Sequence, residues 1–416
     1  MRILQLSQFF PPVLGGEERH VLNLARSLAG RHEVVVGTYG AEDVVEDVDG
    51  VEVHRIRPAT SRLPGVYEDP ARQFAPPLPD PAVSRAIGAL IDDLRPDVIH
   101  AHNWIVHSLL PLRRRTSAPF VLTLHDYSLV CATKRMMHMD RELCPGPSPS
   151  RCLQCASQRY RHVVGPVTYL GVAATRPWKR RALDHVLAVS RSVADRNGLA
   201  DFGVPWDVVP NFVADDLGAD AGTLPRAPWA PDGDYWFFAG DLTRDKGVGV
   251  LLDAYASLPA DRPPLVLAGR RSPDIPERLP DGVLLVGPRP HEEVRAGFAR
   301  AALAAAPSIW PDPCPTVVLE AMAHGVPVVT TAIGGMVDMV EDGRTGRLVE
   351  PGSASALAGA LWDLHVRPEE ARRMGAAAAV AVGAFRAGPV VGRIESLYDG
   401  LVASRRLRAT ATGGDA

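Results

Sequence analysis

Leu303-Ala304-Ala305-Ala306-Pro307, then Asp312, then Glu320-Ala321-Met322-Ala323-His324-Gly325, then Val326-Pro327-Val328-Val329-Thr330-Thr331 and Gly334-Gly335 form the stretch that decides the fold. An apolar run of strand length, a helical segment over Thr316–His324 and a second apolar run make a strand-helix-strand unit. Pro315 suits the start of that helix, where a missing N–H costs nothing. Runs of the same kind recur in both directions. The second half carries Tyr235–Gly240, Leu265–Gly269, Val283–Gly287, Leu303–Pro307, Val326–Thr331 and Gly346–Val349. The first half carries Arg2–Ser7, Glu33–Thr38, Asp97–His102, Phe120–His125, His185–Ser190 and Asp207–Asn211. Strands spaced by helical stretches imply parallel sheets, so the pattern predicts an α/β chain in which one architecture occurs twice.

Between the two series, Ala214–Gly233 is rich in Asp, Gly, Pro and Ala and reads as a linker. The boundary is placed near residue 225, giving a first domain over 1–224 and a second over 225–389. A last helical stretch over 390–408 precedes a tail over 409–416, which reads as frayed. Pro58–Pro81 is proline-rich and aperiodic, the signature of a long loop.

Composition narrows the class of function. A chain of 416 residues, 46% of them hydrophobic, has material for two cores. A formal net charge of -3 supplies no field to gather nucleic acid, and no such partner is expected. No apolar run reaches the roughly 18 residues that span a bilayer. Met1 leads straight into a short strand run without the apolar core of a secretory signal, so the expectation is a cytoplasmic protein with reduced cysteines.

In open α/β sheets ligands bind at the carboxyl ends of the strands, and the chemistry-bearing residues fall there. Gly15-Gly16 follows the first strand and opens a helix, where backbone can approach a phosphate or a sugar. Phe238-Ala239-Gly240-Asp241-Leu242-Thr243-Arg244-Asp245-Lys246-Gly247 opens the second series with two cations beside glycines. Asp312 and Glu320 stand eight positions apart around a helix start. His102 and His125 end strands of the first series. Alone, a strand-end histidine or a turn glycine pair is more often structural.

Taken in order, Gly15-Gly16, His125, Lys246, Asp312, Glu320 and Gly334-Gly335 resemble the site of the family 4 glycosyltransferases, retaining enzymes of the GT-B type with two facing Rossmann-like domains and a cleft between them. The resemblance implies donor binding by Gly15, Gly16, Gly240, Lys246, Glu320 and the amides of Thr316 and Val317. It implies a catalytic role for His125 beside the reacting carbon, and for Asp312 on the hydroxyls of the transferred sugar. His102 would shape the acceptor side. Gly269 and Arg289 lie where the family places the nucleotide base. Two positions depart from the pattern: Asp312 replaces a glutamate, and Asp241 stands where the family has an arginine, with Arg244 as its substitute three residues on. The glycines of Gly334-Gly335 would let backbone approach the donor, and the final helix would return to the first domain.

The resulting expectation is a transferase that moves a sugar from a nucleotide-diphosphate donor, a UDP- or GDP-sugar, to a hydroxyl of a natural product or glycan. Two alternatives stay open: a nucleotide-sugar epimerase of the same fold, and a non-catalytic zinc-stabilised binding protein. Asp47-Val48-Asp49 and Asp232-Gly233-Asp234 have the D-x-D form used by metal-dependent transferases, but lie in acidic turns away from the other motifs, so transfer is expected to be metal-independent. Four of the five cysteines, Cys131, Cys144, Cys152 and Cys155, fall in one insertion over 131–155. They suit a structural zinc site, with free thiols or a redox pair as the other readings. Arg113-Arg114-Arg115 and Lys179-Arg180-Arg181 read as solvated faces, with peripheral contact to an anionic membrane or a phosphorylated acceptor as the alternative.

Overall fold

The computed structural model describes residues 1–12, 15–62 and 76–412, with backbone alone at 62, 161, 162 and 409–412. The chain divides into two compact units, Met1–Pro210 with Val390–Ala416, and Asn211–Pro389. No helix among the described residues is long and apolar enough to cross a membrane.

The first unit holds β1 (Arg2–Ser7), β2 (Glu33–Tyr39), β3 (Val44–Val48), β4 (Val51–Ile56), β5 (Val98–His102), β6 (Phe120–Leu124), a small hairpin of β7 (Met137–His138) and β8 (Glu142–Leu143), β9 (His185–Ala188) and β10 (Trp206–Val208). Its main sheet runs β10-β9-β6-β5-β1-β2-β4-β3. All neighbours are parallel except β3 with β4. The inner strands are buried almost throughout, and Gln5, Ser7, His100, His102 and Thr123 are buried polar residues among their apolar ones. Helix Gly16–Ala29 lays Val21, Leu24, Ala25 and Leu28 into the core, and His20 is buried with them.

The β3–β4 hairpin is absent from the sequence expectation. Its signal was present: Asp49-Gly50, both at positive φ, joins two alternating runs in the way two-residue hairpin turns require. Asp47 accepts from the Gly50 N–H at 2.9 Å and Asp49 pairs with Arg26 at 3.5 Å, so this D-x-D string serves its own turn.

The second unit holds β11 (Trp236–Ala239), β12 (Leu265–Ala268), β13 (Val283–Gly287), β14 (Leu303–Ala306), β15 (Val328–Thr331) and β16 (Gly346–Val349). They form one parallel sheet in the order β13-β12-β11-β14-β15-β16, the doubly wound arrangement of nucleotide-binding folds. Trp236, Tyr255, Leu251, Leu267 and Leu361 anchor its core. The second unit begins at Asn211, ahead of the boundary read from composition near 225. The Val213 N–H donates to Phe385 O at 3.0 Å, the Ala387 N–H to Val213 O at 2.9 Å and the Gly388 N–H to Asp215 at 2.9 Å. Residues 211–224 are thus built into the unit rather than strung between units.

The last helix runs Ala387–Thr412, longer than the predicted stretch, and belongs from Val390 to the first unit. Glu395 takes two hydrogen bonds from Arg31 and contacts His32 at 2.9 Å. Lys179 departs from the solvated reading: it is 1% exposed at the end of the helical segment Pro149–Ala182, with Nζ 3.4 Å from His107 Nε2. The proline-rich loop reading falls largely on residues 63–75, outside the described residues.

Candidate active site

In each sheet the order reverses once, between β1 and β5 in the first unit and between β11 and β14 in the second, and a crevice opens at such a point. The predicted residues collect at these two places.

In the second unit, Gly247 lets the turn after β11 press on the end of β14. Its φ is +73°, and a Cβ there would sit 1.8 Å from Pro307 O. The amides of Ile309 and Trp310 donate to Asp245 O at 2.9 and 3.3 Å, which stitches the two loops together. Across that seam Lys246 Nζ donates to Asp312 Oδ2. Burial works against the lysine's charge, but Asp312, with Asp245 and Asp241 behind it, more than restores it, and the Lys246 pKa is raised. Asp312 thus meets the lysine through its shorter side chain. Gly334-Gly335 serves this loop rather than lying open: Gly334 has φ +65° with a would-be Cβ 2.3 Å from Asp312 O, and the Gly335 N–H donates to Asp312 O at 2.7 Å.

Helix Thr316–Ala323 begins directly after this loop, with Pro315 as its N-cap. Thr316 and Val317 fill its first positions, where helix amides lack intrahelical partners. Glu320 is buried one turn on, and its Oε2 lies 3.3 Å from His291 Nε2, at the start of helix His291–Phe298. His291 escaped the sequence reading. So did Arg270, after β12, which forms a two-bond pair with Asp241 at 3.0 Å each. Arg244, the anticipated substitute, forms no ion pair or side-chain hydrogen bond among the described residues. Arg289 is turned onto Val286 O at 2.7 Å and Glu293 at 3.8 Å.

In the first unit the histidines are wholly or nearly buried and joined in a directed chain. The Gln5 amide N–H donates to the Tyr398 hydroxyl at 3.2 Å, and the same hydroxyl meets His100 Nδ1 at 2.6 Å. His100 Nε2 lies 2.7 Å from Thr123 Oγ1. Gln5 Oε1 lies 2.8 Å from His102 Nε2, and His102 Nδ1 lies 2.9 Å from His125 Nε2. Because Gln5 Oε1 only accepts, His102 must carry its proton on Nε2. Its Nδ1 then accepts, which places the His125 proton on Nε2. Burial lowers the pKa of His100 to about 3 and of His20 to about 4, and that of His102 well below its usual value, so these imidazoles stay neutral. His102 therefore orients His125 from within the core and is not open to an acceptor, contrary to its predicted role.

His20, His102 and His125 are the one group of three or more metal-type ligands that the described residues bring together, with ligand atoms within 4.8 Å of one another. Both nitrogens of His102 are already committed, so an ion there would have to break the chain just described.

Beside His125, Asn103 holds the loop after β6. Its Oδ1 accepts from the His125 N–H at 3.0 Å and its Nδ2 donates to Glu17 at 2.5 Å and to Asp126 at 3.2 Å. Glu17 sits in the first turn after Gly15, the N-cap of its helix, and Gly16. Burial first, then the neighbouring Glu18 and Asp126, push the Glu17 pKa to about 8 against the opposing pull of Lys134 and Asn103. Nothing in a one-dimensional reading marked Glu17, because its environment is assembled from three elements.

Residues 14–217 match the family Glycosyltransferase Family 4, and residues 233–366 match Glycosyl transferases group 1. The glycogen synthase of Mycobacterium tuberculosis is 30% identical over 417 positions, covering 91% of this chain and 89% of that protein. Sucrose-phosphate synthase from Thermosynechococcus elongatus has a TM-score of 0.71 at 22% identity, over 97% of this chain and 100% of that one. Anabaena HepE in complex with UDP-glucose has a TM-score of 0.69 at 19% identity, over 96% and 100%. Two Rossmann-like units of parallel sheet make this a GT-B fold, and the chain belongs to the family 4 glycosyltransferases.

Proposed function

We propose that the protein transfers a hexose from a UDP- or GDP-sugar to a hydroxyl acceptor, with retention at the anomeric carbon and without a catalytic metal. The observation that carries this reading is the grouping of Lys246, Asp312 and Glu320 at the carboxyl end of one parallel sheet, next to the first turn of Thr316–Ala323. A nucleotide diphosphate gains negative charge as the glycosidic bond breaks. A fixed ammonium and unpaired helix amides lower that barrier because they need no reorganisation. Asp312 neutralises Lys246. Once a diphosphate takes the lysine, the carboxylate is released toward the sugar hydroxyls. Glu320, steadied by His291, suits the ribose hydroxyls, and His125 suits the side of the transferred sugar. HepE is seen with UDP-glucose, so UDP-glucose stands first among donors to try.

The test is a thermal-shift screen of UDP-, GDP-, ADP- and dTDP-sugars, followed by turnover with and without hydroxyl acceptors. A ligand at 100 times its Kd stabilises the folded chain by about 2.7 kcal/mol. One base should raise Tm above the others, turnover should require an acceptor, and NMR of the product should show the donor's anomeric configuration. No shift with any of the four would sink the reading. Interconversion of the sugar without acceptor would favour the epimerase, and tight binding without turnover the binding protein.

A further inference from the structure

The insertion that follows His125-Asp126 has little to hold it together. Its only regular pairing is the two-residue strands β7 and β8. Lys134, Met136, Met139 and Asp140 all adopt positive φ, at 65°, 51°, 54° and 57°, a conformation that costs an ordinary side chain about 1 to 3 kcal/mol unless the surroundings impose it. Ala132 and Ala156 pack beside Trp104 and Val172, and Met136 and Met137 are buried as well.

The same insertion carries four thiols, those of Cys131, Cys144, Cys152 and Cys155. Ala132 and Ala156 are the chain neighbours of Cys131 and Cys155, so their packing brings those cysteines together. The Met139 N–H, at the hairpin tip, donates to Cys155 Sγ at 3.3 Å. The Cys144 N–H donates to Met136 O at 2.9 Å, drawing the third strand of chain back beside the first. Cys144 Sγ and Arg151 both donate to Gly146 O, at 3.4 and 3.1 Å, which places Cys144 beside the helix turn that carries Cys152. Cys152 and Cys155 lie three residues apart on one helix face. Both thiols have pKa values raised first by burial and then by Cys131 and Cys144, which lie within electrostatic reach.

We propose that Cys131, Cys144, Cys152 and Cys155 bind one zinc ion as a structural site, drawing the four sulfurs into a tetrahedron. Cysteine binds zinc as thiolate, so each thiol gives its proton to solvent and a fully formed site carries a charge of −2. Lys134, Arg135, Arg141 and Arg151 in the same segment, against Asp140 and Glu142, supply the compensating excess of positive charge. The ion would add a cross-link to a backbone that holds four ordinary residues at positive φ. Through Lys134, whose Nζ donates to Gln8 at 3.0 Å and whose carbonyl accepts from the Tyr127 N–H at 3.3 Å, it would fasten the loop after β6 to the end of β1. The proposal concerns metal content and stands whether or not sugar transfer is confirmed.

The full chain is produced in zinc-supplemented medium, purified without chelator, and assayed for zinc by mass spectrometry and for free thiols by colorimetric titration. Cobalt is then exchanged for zinc and the absorption spectrum read. The expected result is stoichiometric zinc, one reactive thiol from Cys314 only after unfolding, and an intense sulfur-to-cobalt charge-transfer band. Cys152→Ser with Cys155→Ser should lose the metal, while Cys314→Ser keeps it. If the double variant does not fold, the cobalt spectrum of the unaltered chain decides. Background zinc with all thiols reactive, or background zinc with a missing thiol pair that reveals a disulfide, overturns the proposal. So does a cobalt spectrum without sulfur character, which would move the metal to the histidines.

Discussion

The two crevice ends use one architecture for opposite electrostatics. At the end of the first sheet, His100, His102 and His125 lie among buried neutral groups whose hydrogen bonds fix which nitrogen carries each proton. At the end of the second, Lys246 stays charged because Asp312 sits against it, and Glu320 lies beside His291. The difference teaches a division of labour. Imidazoles kept neutral by burial, as His100 and His102 are, keep the same donors and acceptors across physiological pH, which suits the steering of uncharged hydroxyls. A paired ammonium can be handed from a carboxylate to a phosphate, which suits a leaving group that gains charge.

The comparison breaks most readily at Lys246. Lys246→Ala should lower kcat/KM by about 10² to 10³, the loss typical when a preorganised charge-stabilising donor is removed. Steady-state kinetics with the donor identified by thermal shift would show it, and a change under tenfold would deny the lysine its role. The same variant leaves Asp312 buried without its partner and should lower Tm. Lys246→Met combined with Asp312→Asn should recover Tm but not activity.

On the neutral side, His125→Ala should cost about 10² or more. Gln5→Leu should cost about tenfold by loosening His125 rather than removing it. Nitrogen-15 NMR of the imidazoles separates orientation from mere destabilisation: the unaltered protein should show His125 protonated on Nε2, and Gln5→Leu should mix its tautomers. An unmixed spectrum would remove His102 from any orienting role.

Two groups of the first unit, Glu17 and Lys179, sharpen the contrast through opposite pH slopes. Glu17 has its pKa raised from 4.5 to about 8, so the folded state binds the extra proton and stability falls between those values. Lys179 has its pKa lowered from 10.5 to about 7 by burial and by Arg176, so the unfolded state binds the extra proton and stability rises from about 7 to 10.5. Each slope approaches about 1.4 kcal/mol per pH unit inside its window. Glu17→Gln should flatten the fall, and Lys179→Met should flatten the rise and raise Tm at neutral pH. Denaturant unfolding across pH 5 to 10 checks both, and an unchanged profile in either variant would show that its group does not titrate as described. The smallest effect belongs to Arg270→Ala. Its pair with Asp241 is exposed, and the change in stability should stay within about 1 kcal/mol, whereas the KM for the donor should rise if Arg270 supplies the diphosphate cation.

Much of this was readable in one dimension. Strands such as Phe120–Leu124 and Leu265–Ala268 announce themselves because buried parallel strands are apolar throughout. Lys246, Asp312 and Glu320 fall at a strand end or a helix start, so their positions could be anticipated. Their partners could not. His291 reaches Glu320 from a separate helix, and Arg270 reaches Asp241 from the next strand's loop. Tyr398 meets Gln5 across nearly the whole length of the chain, and no local spacing encodes such a pairing. Lys179 misled for the opposite reason: a run of three cations signals solvent, and only packing against His107 puts the first of them in the core.

Tyr398 carries one more consequence. The network that sets the His125 proton is closed by a residue made only after the entire second unit has been synthesised. A nascent chain can therefore form its first sheet early, yet Gln5 and His100 wait for the closing helix before their side chains are settled. A product of interrupted translation that stops short of Tyr398 would lack the hydroxyl that joins Gln5 to His100.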